Sequence, residues 1–259
     1  MDYETILYEK SEGIGTITLN RPRVMNAIND IVMKEMSGLL DVIASDKEVK
    51  VLILTGGAKF FAAGADIAFM SNADALQAEA FIRLCHETID KISNMDKPVI
   101  AAIAGLALGG GCELLLSCDI RIAAEGCKIG LPEINLGLYP GGGGTQRLTR
   151  LVGAGWTKQM LMTGRPVDAE AALKMGLITQ IVPAPELMNE ARNLARELAS
   201  KSTLAMRMMK KCIDYGGNVD LSSGCLFEQK VWALLMSTED AHEGMKAFLE
   251  KRQPVFQVK

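Results

Sequence analysis

Glu113 and Glu133 are the residues whose types and surroundings most directly suggest chemistry. Glu113 follows Gly109-Gly110-Gly111-Cys112 and precedes Leu114-Leu115-Leu116, while Glu133 sits in Gly130-Leu131-Pro132-Glu133-Ile134. An ionised carboxylate is costly to bury without partners, so two of them in apolar, glycine-rich company suggest a paired general acid and base. The glycine run itself lets backbone N–H groups approach a ligand closely at a strand-to-helix junction, where the helix N-terminus favours negative charge. No Gly-Lys-Ser/Thr follows it, so a P-loop is excluded, and Gly13-x-Gly15 has Thr18 where a dinucleotide fingerprint needs a third glycine. A second small-residue loop, Ala62-Ala63-Gly64-Ala65-Asp66, follows another apolar run. Two such loops would each aim one N–H at a common point and form an oxyanion hole. Taken singly, the glycine run reads equally well as tight strand–helix packing, and the Ala62–Ala65 loop reads better as an ordinary tight turn.

The elements that must position these groups alternate short β-rich runs with helical stretches. Gly15 to Leu19 reads as a strand, ended by Asn20-Arg21-Pro22. Asn29 or Asp30 caps a helix through about Ala44, with Ile31, Met33, Met36, Leu39 and Leu40 at helical spacing. Val51 to Thr55 and Val99 to Ile103 are continuous apolar strands, separated by a helix over about 74–94. Ile120 to Ala123 and Lys128 to Gly130 complete the strand set, giving an α/β architecture with buried sheet faces. After Gly155 the pattern is almost wholly helical. Asp168 starts and Gly176 stops a short helix, a longer one runs from Glu186 to about Ser200, and three more segments follow. That helical tail would cover its own core or form an oligomer interface.

Composition narrows the functional classes. The chain has 259 residues and a net charge of −3, so no basic face supports a nucleic-acid partner. The cluster from Arg207 to Lys211 is expected to be a solvated helix face. Six cysteines without a CxxC pair, and only two histidines, make a zinc site unexpected. The cysteines are expected to be small buried hydrophobes in a reducing cytoplasm. No run is long and apolar enough to span a bilayer, and no targeting segment is expected.

Taken in order, several segments resemble the enoyl-CoA hydratase (crotonase) family. They are Ala62-Ala63-Gly64-Ala65-Asp66-Ile67, Ala107-Leu108-Gly109-Gly110-Gly111-Cys112-Glu113-Leu114, Pro132-Glu133-Ile134-Asn135-Leu136-Gly137, and Pro140 through Leu148. Asn20-Arg21-Pro22…Asn26-Ala27-Ile28 opens the pattern, and Ser237-Thr238-Glu239-Asp240…Phe248-Leu249-Glu250-Lys251-Arg252 closes it. The resemblance covers essentially the whole chain.

The resemblance implies a ClpP/crotonase-like spiral of repeated β-β-α units. Residues 1–200 would form the core with the CoA-binding and catalytic site, and 201–259 a helical trimerisation region. It implies a hydro-lyase that adds water reversibly, with syn geometry, across a trans-2-enoyl-CoA to give a 3-hydroxyacyl-CoA. Ala65 and Gly110 would supply the oxyanion-hole N–H groups, Glu113 the base toward water, and Glu133 the acid toward Cα. Arg23 and Val24 would meet the CoA nucleotide. Ala63, Asp66, Ile67 and Ala68 would line the CoA and pantetheine path, and Tyr139 the acyl pocket. Phe248 and Lys251 would reach the nucleotide of a neighbouring subunit in a homotrimer or dimer of trimers. No metal or cofactor is implied, because CoA arrives with the substrate. The alternatives are an enoyl-CoA isomerase or another acyl-CoA enzyme of the superfamily, or a non-catalytic CoA- or RNA-binding relative. Retention of both acids argues against the isomerase. Ala104 and Leu131 depart from the family's frequent asparagine and glutamine at these places.

Overall fold

The computed structural model describes residues 3–257. Strands β1 (Ile6–Ser11) and β2 (Ile14–Leu19) form an antiparallel hairpin. Its two-residue loop, Glu12-Gly13, has positive φ at both positions (54° and 76°), the twist-matched turn that such hairpins prefer. Helix α1 (Asp30–Ser45) then returns the chain to β3 (Val51–Thr55). Asn29 starts α1 by accepting the Val32 N–H at 3.1 Å. A short helix α2 (Ile67–Met70) and a longer α3 (Ala75–Ser93) lead to β4 (Val99–Ile103). Asp74 and Gln77 close a capping box at the start of α3. After β4 come β5 (Leu106–Leu108), α4 (Gly110–Leu116), β6 (Ile120–Ala124) and β7 (Lys128–Gly130). The chain continues through α5 (Gly144–Thr163), β8 (Val167–Asp168), α6 (Ala169–Lys174), β9 (Gln180–Val182) and α7 (Leu187–Ala199). Helices α8 (Thr203–Gly216), α9 (Leu221–Leu235) and α10 (Glu239–Leu249) end the described chain.

Among the described residues the main sheet has the order β1-β2-β3-β4-β6-β9, parallel from β2 onward. The apolar strands are explained by cover on both faces. Leu52 and Leu54 of β3 face the core formed with α1 and α3. Val51 and Ile53 face the other way, onto Leu187, Ala191 and Ala195 of α7. A second ladder, β5-β7-β8, stands beside the first. Two isolated parallel bridges, Ala62 to Ala107 and Ile28 to Ala65, extend it toward the start of the chain. The β4-β5 and β6-β7 steps thus send the chain from the main sheet into the second ladder, and the site is built on that ladder.

After Gly155 the chain is almost wholly helical, interrupted only by β8 and β9 among the described residues, and β9 becomes the main sheet's edge. Two expectations need correction. The Arg207–Lys211 cluster is not simply solvated. Lys210 is largely covered and pairs with Asp119 at 2.9 Å, while Arg207 and Lys211 both reach Asp96. Cys85, Cys112, Cys118 and Cys127 are buried as expected, but Cys212 is half-buried and Cys225 exposed. No helix among the described residues is long and apolar enough to cross a membrane.

Candidate active site

Glu113 lies in the first turn of α4, almost fully buried. Its Oε1 accepts the backbone N–H of Gly144, the first residue of α5, at 2.8 Å. That donor is one of the orphan N–H groups every helix start carries, and α5 has no side-chain cap to take it. Glu133 opens a 3-10 turn over Glu133–Leu136, directly after β7 and Pro132. Its Oε2 is buried without a hydrogen-bond partner. Its Oε1 lies 3.1 Å from the point where Gly109 would carry a Cβ. Gly109 has φ 50° and ψ −125°, a conformation open essentially to glycine alone, so it both turns the chain into α4 and leaves room for this carboxylate.

The two expected N–H donors are brought together by the second ladder. Gly64 C=O accepts from Ile28 N–H, and Asp66 N–H donates to Ile28 C=O, both at 2.8 Å. In extended backbone the residue between them points its own groups the other way. The Ala65 N–H is therefore turned from Ile28 toward α4, and the Ala65 nitrogen lies 3.9 Å from the Cβ position of Gly110. Gly110 is the first residue of α4, so its N–H has no intrahelical acceptor. Neither N–H is taken by a backbone acceptor among the described residues. A Cβ at Gly111 would sit 2.5 Å from the Ala62 carbonyl oxygen, so glycine there lets the two loops touch.

Electrostatics separates the two carboxyls. Burial raises the Glu113 pKa, while the Gly144 and Gly142 N–H groups, then His86 and Arg147, pull against it. Burial also pushes Glu133 up, to about 7, and the nearby Glu113 charge adds to the rise. Burial wins at both groups, opposed at Glu113 by the Gly144 and Gly142 donors and at Glu133 only by its own backbone N–H, so Glu133 is the better placed of the two to stay neutral. Burial first, and Glu113 second, raise the adjacent thiols, Cys85 to about 12 and Cys112 well above its ordinary value, which disfavours their thiolate forms.

The remaining expected residues divide. Arg23 and Val24 lie in an exposed 3-10 turn, Pro22–Val24, which touches the 62–68 loop through an Ala63 N–H to Met25 C=O bond of 3.0 Å. Ile67 and Ala68 are exposed beside them, and Ala63 is half-buried. Asp66 is already occupied: it caps α2 through the Phe69 N–H and pairs with Arg21 at 3.0 Å. Sequence reasoning missed Arg21, because its partner lies 45 residues away. Tyr139 is exposed just beyond the Glu133 turn. Phe248 and Lys251, on and just after α10, make no hydrogen bond to Arg23, Val24, the 62–68 loop or Tyr139 among the described residues. At the two departures, the Ala104 C=O accepts the Phe61 N–H at 2.8 Å. Leu131 is fully buried, 3.0 Å from the Cβ position of Gly144.

A two-sheet spiral carrying one buried and one half-buried glutamate beside two converging loops has the crotonase class of fold. A solved enoyl-CoA hydratase from Bacillus anthracis superposes with a TM-score of 0.96 at 38% identity, covering 99% of this chain and 100% of that one. The sequence model described as enoyl-CoA hydratase/isomerase matches residues 9–259, and the chain belongs to that family. It is 45% identical to a probable enoyl-CoA hydratase of Mycobacterium tuberculosis, over 99% of both chains. It is 44% identical to a crotonyl-CoA hydratase of Syntrophomonas wolfei, again over 99% of both.

Proposed function

We propose that the chain is an enoyl-CoA hydratase, adding water reversibly and with syn geometry across the α,β double bond of a trans-2-enoyl-CoA. The observation that carries this reading is the pairing of two carboxyls in unlike surroundings, buried Glu113 accepting the Gly144 N–H and half-buried Glu133 with one oxygen unpartnered. Attack of water at Cβ places negative charge on the thioester oxygen. The Ala65 and Gly110 N–H groups would stabilise that enolate as an oxyanion hole. Glu113, ionised, takes a proton from the attacking water, and Glu133, neutral, delivers one to Cα. One proton enters the pair and one leaves it, so the pair ends with its single proton transferred to Glu113. Dehydration runs the same steps backward.

The remaining roles follow from the same reading. CoA would lie along Arg23, Val24, Ala63, Asp66, Ile67 and Ala68, and the acyl chain near Tyr139. It arrives with the substrate, so the chemistry calls for no resident cofactor or metal. Residues 1–200 would act as the catalytic core and 201–259 as the oligomerisation region of a cytoplasmic homotrimer or dimer of trimers. The large exposed apolar side chains of α8 to α10, among them Ile213, Leu221, Trp232 and Leu234, support that assembly. Phe248 and Lys251 would then meet the nucleotide of a neighbouring subunit.

Loss of the conjugated enoyl-thioester absorbance on adding crotonyl-CoA tests the activity directly. Failure to hydrate crotonyl-CoA and longer trans-2-enoyl-CoA thioesters would sink the reading. A substrate panel compared by kcat/KM would then define the acyl preference.

A further inference from the structure

We propose that Arg147, anchored by Asp90, is a positioning residue that holds the Gly142–Gly144 turn against Glu113. The proposal rests on the catalytic reading of Glu113 given above. Arg147 lies in the first turn of α5, and its Nη2 meets Asp90 Oδ1 of α3 at 2.6 Å. Its Nη1 donates to the Gly142 carbonyl at 3.4 Å. The same Nη1 lies only 2.1 Å from where a Cβ on Gly143 would stand. Gly143 has φ 105°, in the left-handed region, so a side chain there would be both strained and in collision with the guanidinium. The Arg147 side chain thus fills the space beside the turn that a Gly143 side chain would otherwise take.

The consequence falls on Glu113. Gly144 donates to its Oε1 at 2.8 Å, and a Cβ on Gly142 would lie 2.7 Å from its Oε2. The turn that Arg147 grips therefore surrounds both carboxylate oxygens. A half-exposed ion pair such as Arg147–Asp90 contributes little to stability, so positioning is the better account of a guanidinium folded back on its own helix start. Its charge acts in the same direction as the backbone donors, favouring the ionised carboxylate. The other titratable groups facing Glu113 are Cys85 and His86 of α3, Cys112 of its own helix, and Glu133. Of these, His86 shares the positive contribution, and its Cε1 stands 4.0 Å from the Gly143 Cβ position.

The test compares Arg147→Gln, Arg147→Lys and Asp90→Asn with the unmodified protein, using crotonyl-CoA and full pH profiles. Arg147→Gln is expected to lower kcat by about tenfold or more, as misplaced catalytic groups do, with KM changed by only a few fold. The acid limb of its profile moves to higher pH, because loss of a nearby cation makes Glu113 harder to ionise. Arg147→Lys should recover part of the pH shift, and Asp90→Asn should lower kcat less than Arg147→Gln. Arg150→Gln, the same charge change one turn further along the exposed side of α5, should leave the limb in place. A normal kcat and an unmoved acid limb in Arg147→Gln would overturn the proposal, as would an equal shift in Arg150→Gln. If Arg147→Gln does not fold, Arg147→Lys and Asp90→Asn carry the decision through kcat: each should lower it, and a normal kcat in both would overturn the proposal. Titration of the Glu113 carboxyl by carbon-13 NMR decides the point without turnover: its pKa should rise in Arg147→Gln, and an unchanged value rejects the proposal. Absence of hydration by the unmodified protein would instead reject the hydratase reading alone.

Discussion

Glu113 and Gly144 are joined by a 2.8 Å hydrogen bond across 31 residues of chain, so the first free donor of one helix start is satisfied by an acid at another. Both partners gain from it. Helix α5 begins at Gly144, after a Gly143 N-cap that offers no side chain, and a carboxylate is the favoured companion of a helix N-terminus. Glu133 has no equivalent donor on its Oε2. This asymmetry leads to the expected pH behaviour.

The working form of the pair carries one proton. Hydration should therefore fall on the acid side as Glu113 takes up a proton, and on the alkaline side as Glu133, with its pKa near 7, loses one. The apparent values belong to the pair rather than to either residue. A profile of kcat/KM against pH checks this, and a plateau extending well above neutrality would contradict it.

Glu133→Gln should abolish hydration, by about 10²-fold at the least for loss of a general acid, with thioester affinity kept within a few fold. Near-normal turnover in this variant would overturn the assignment of Glu133.

The same substitution has a stability signature. The folded-state pKa of Glu133 is raised from 4.5 to about 7, so the native chain binds more protons than the unfolded chain between those values. Stability from this group is then full below the unfolded value and is lost as pH rises through about 7. Thermal melts of the variant and the parent should separate progressively over that range, with the glutamine form relatively more stable at the alkaline end. Parallel Tm curves across the range would count against the raised pKa.

Gly111→Ala tests the contact between the loops. The new Cβ would lie 2.5 Å from the Ala62 oxygen, and rigid backbone must yield. Overpacking of this kind costs about 1–3 kcal/mol, measurable by urea denaturation. Because Gly110 moves with its neighbour relative to Ala65, kcat should also fall while bulk secondary structure by circular dichroism stays unchanged. A stable variant with full activity would show that the spacing of the two N–H groups is not critical.

Lys210→Met should destabilise the chain by leaving Asp119 covered with only the Val99 N–H as partner. Breaking a fully buried pair costs roughly 3–5 kcal/mol, and this one retains some water, so a loss of about 2–3 kcal/mol is expected. The loss should shrink as pH falls and Asp119 protonates. Equal losses at neutral and acid pH would reject the electrostatic origin.

Much of this arrangement is readable in the chain itself. Strands β3 and β4 announce themselves because sheet faces covered on both sides demand unbroken apolar runs, and Asn29, Asp74 and Asp168 mark helix starts by their side chains. β9 does not, since Gln180-Ile181-Val182 is too short to establish a period. In the sequence Lys210 is one more charge on a helix face, because its partner, Asp119, lies 91 residues away. Glu113 and Glu133 were conspicuous by their apolar neighbours. The donors that distinguish them were less so, because a backbone N–H carries no sequence signature of its target. The proximity of Gly144 to Glu113, and of Arg147 to Gly143, exists only after the chain has closed on itself.

The late arrival of β9 bears on how the protein is made. Strands β1 to β6 come from the first half of the chain, but β6 gains its outer neighbour only when Gln180–Val182 is delivered. A nascent chain emerging from the ribosome therefore carries a buried-type apolar strand as an unprotected edge while α5 and α6 are still being synthesised. Such an edge is a template for pairing with another chain. A stop codon or a translational pause between β6 and β9 would accordingly yield a fragment prone to aggregate.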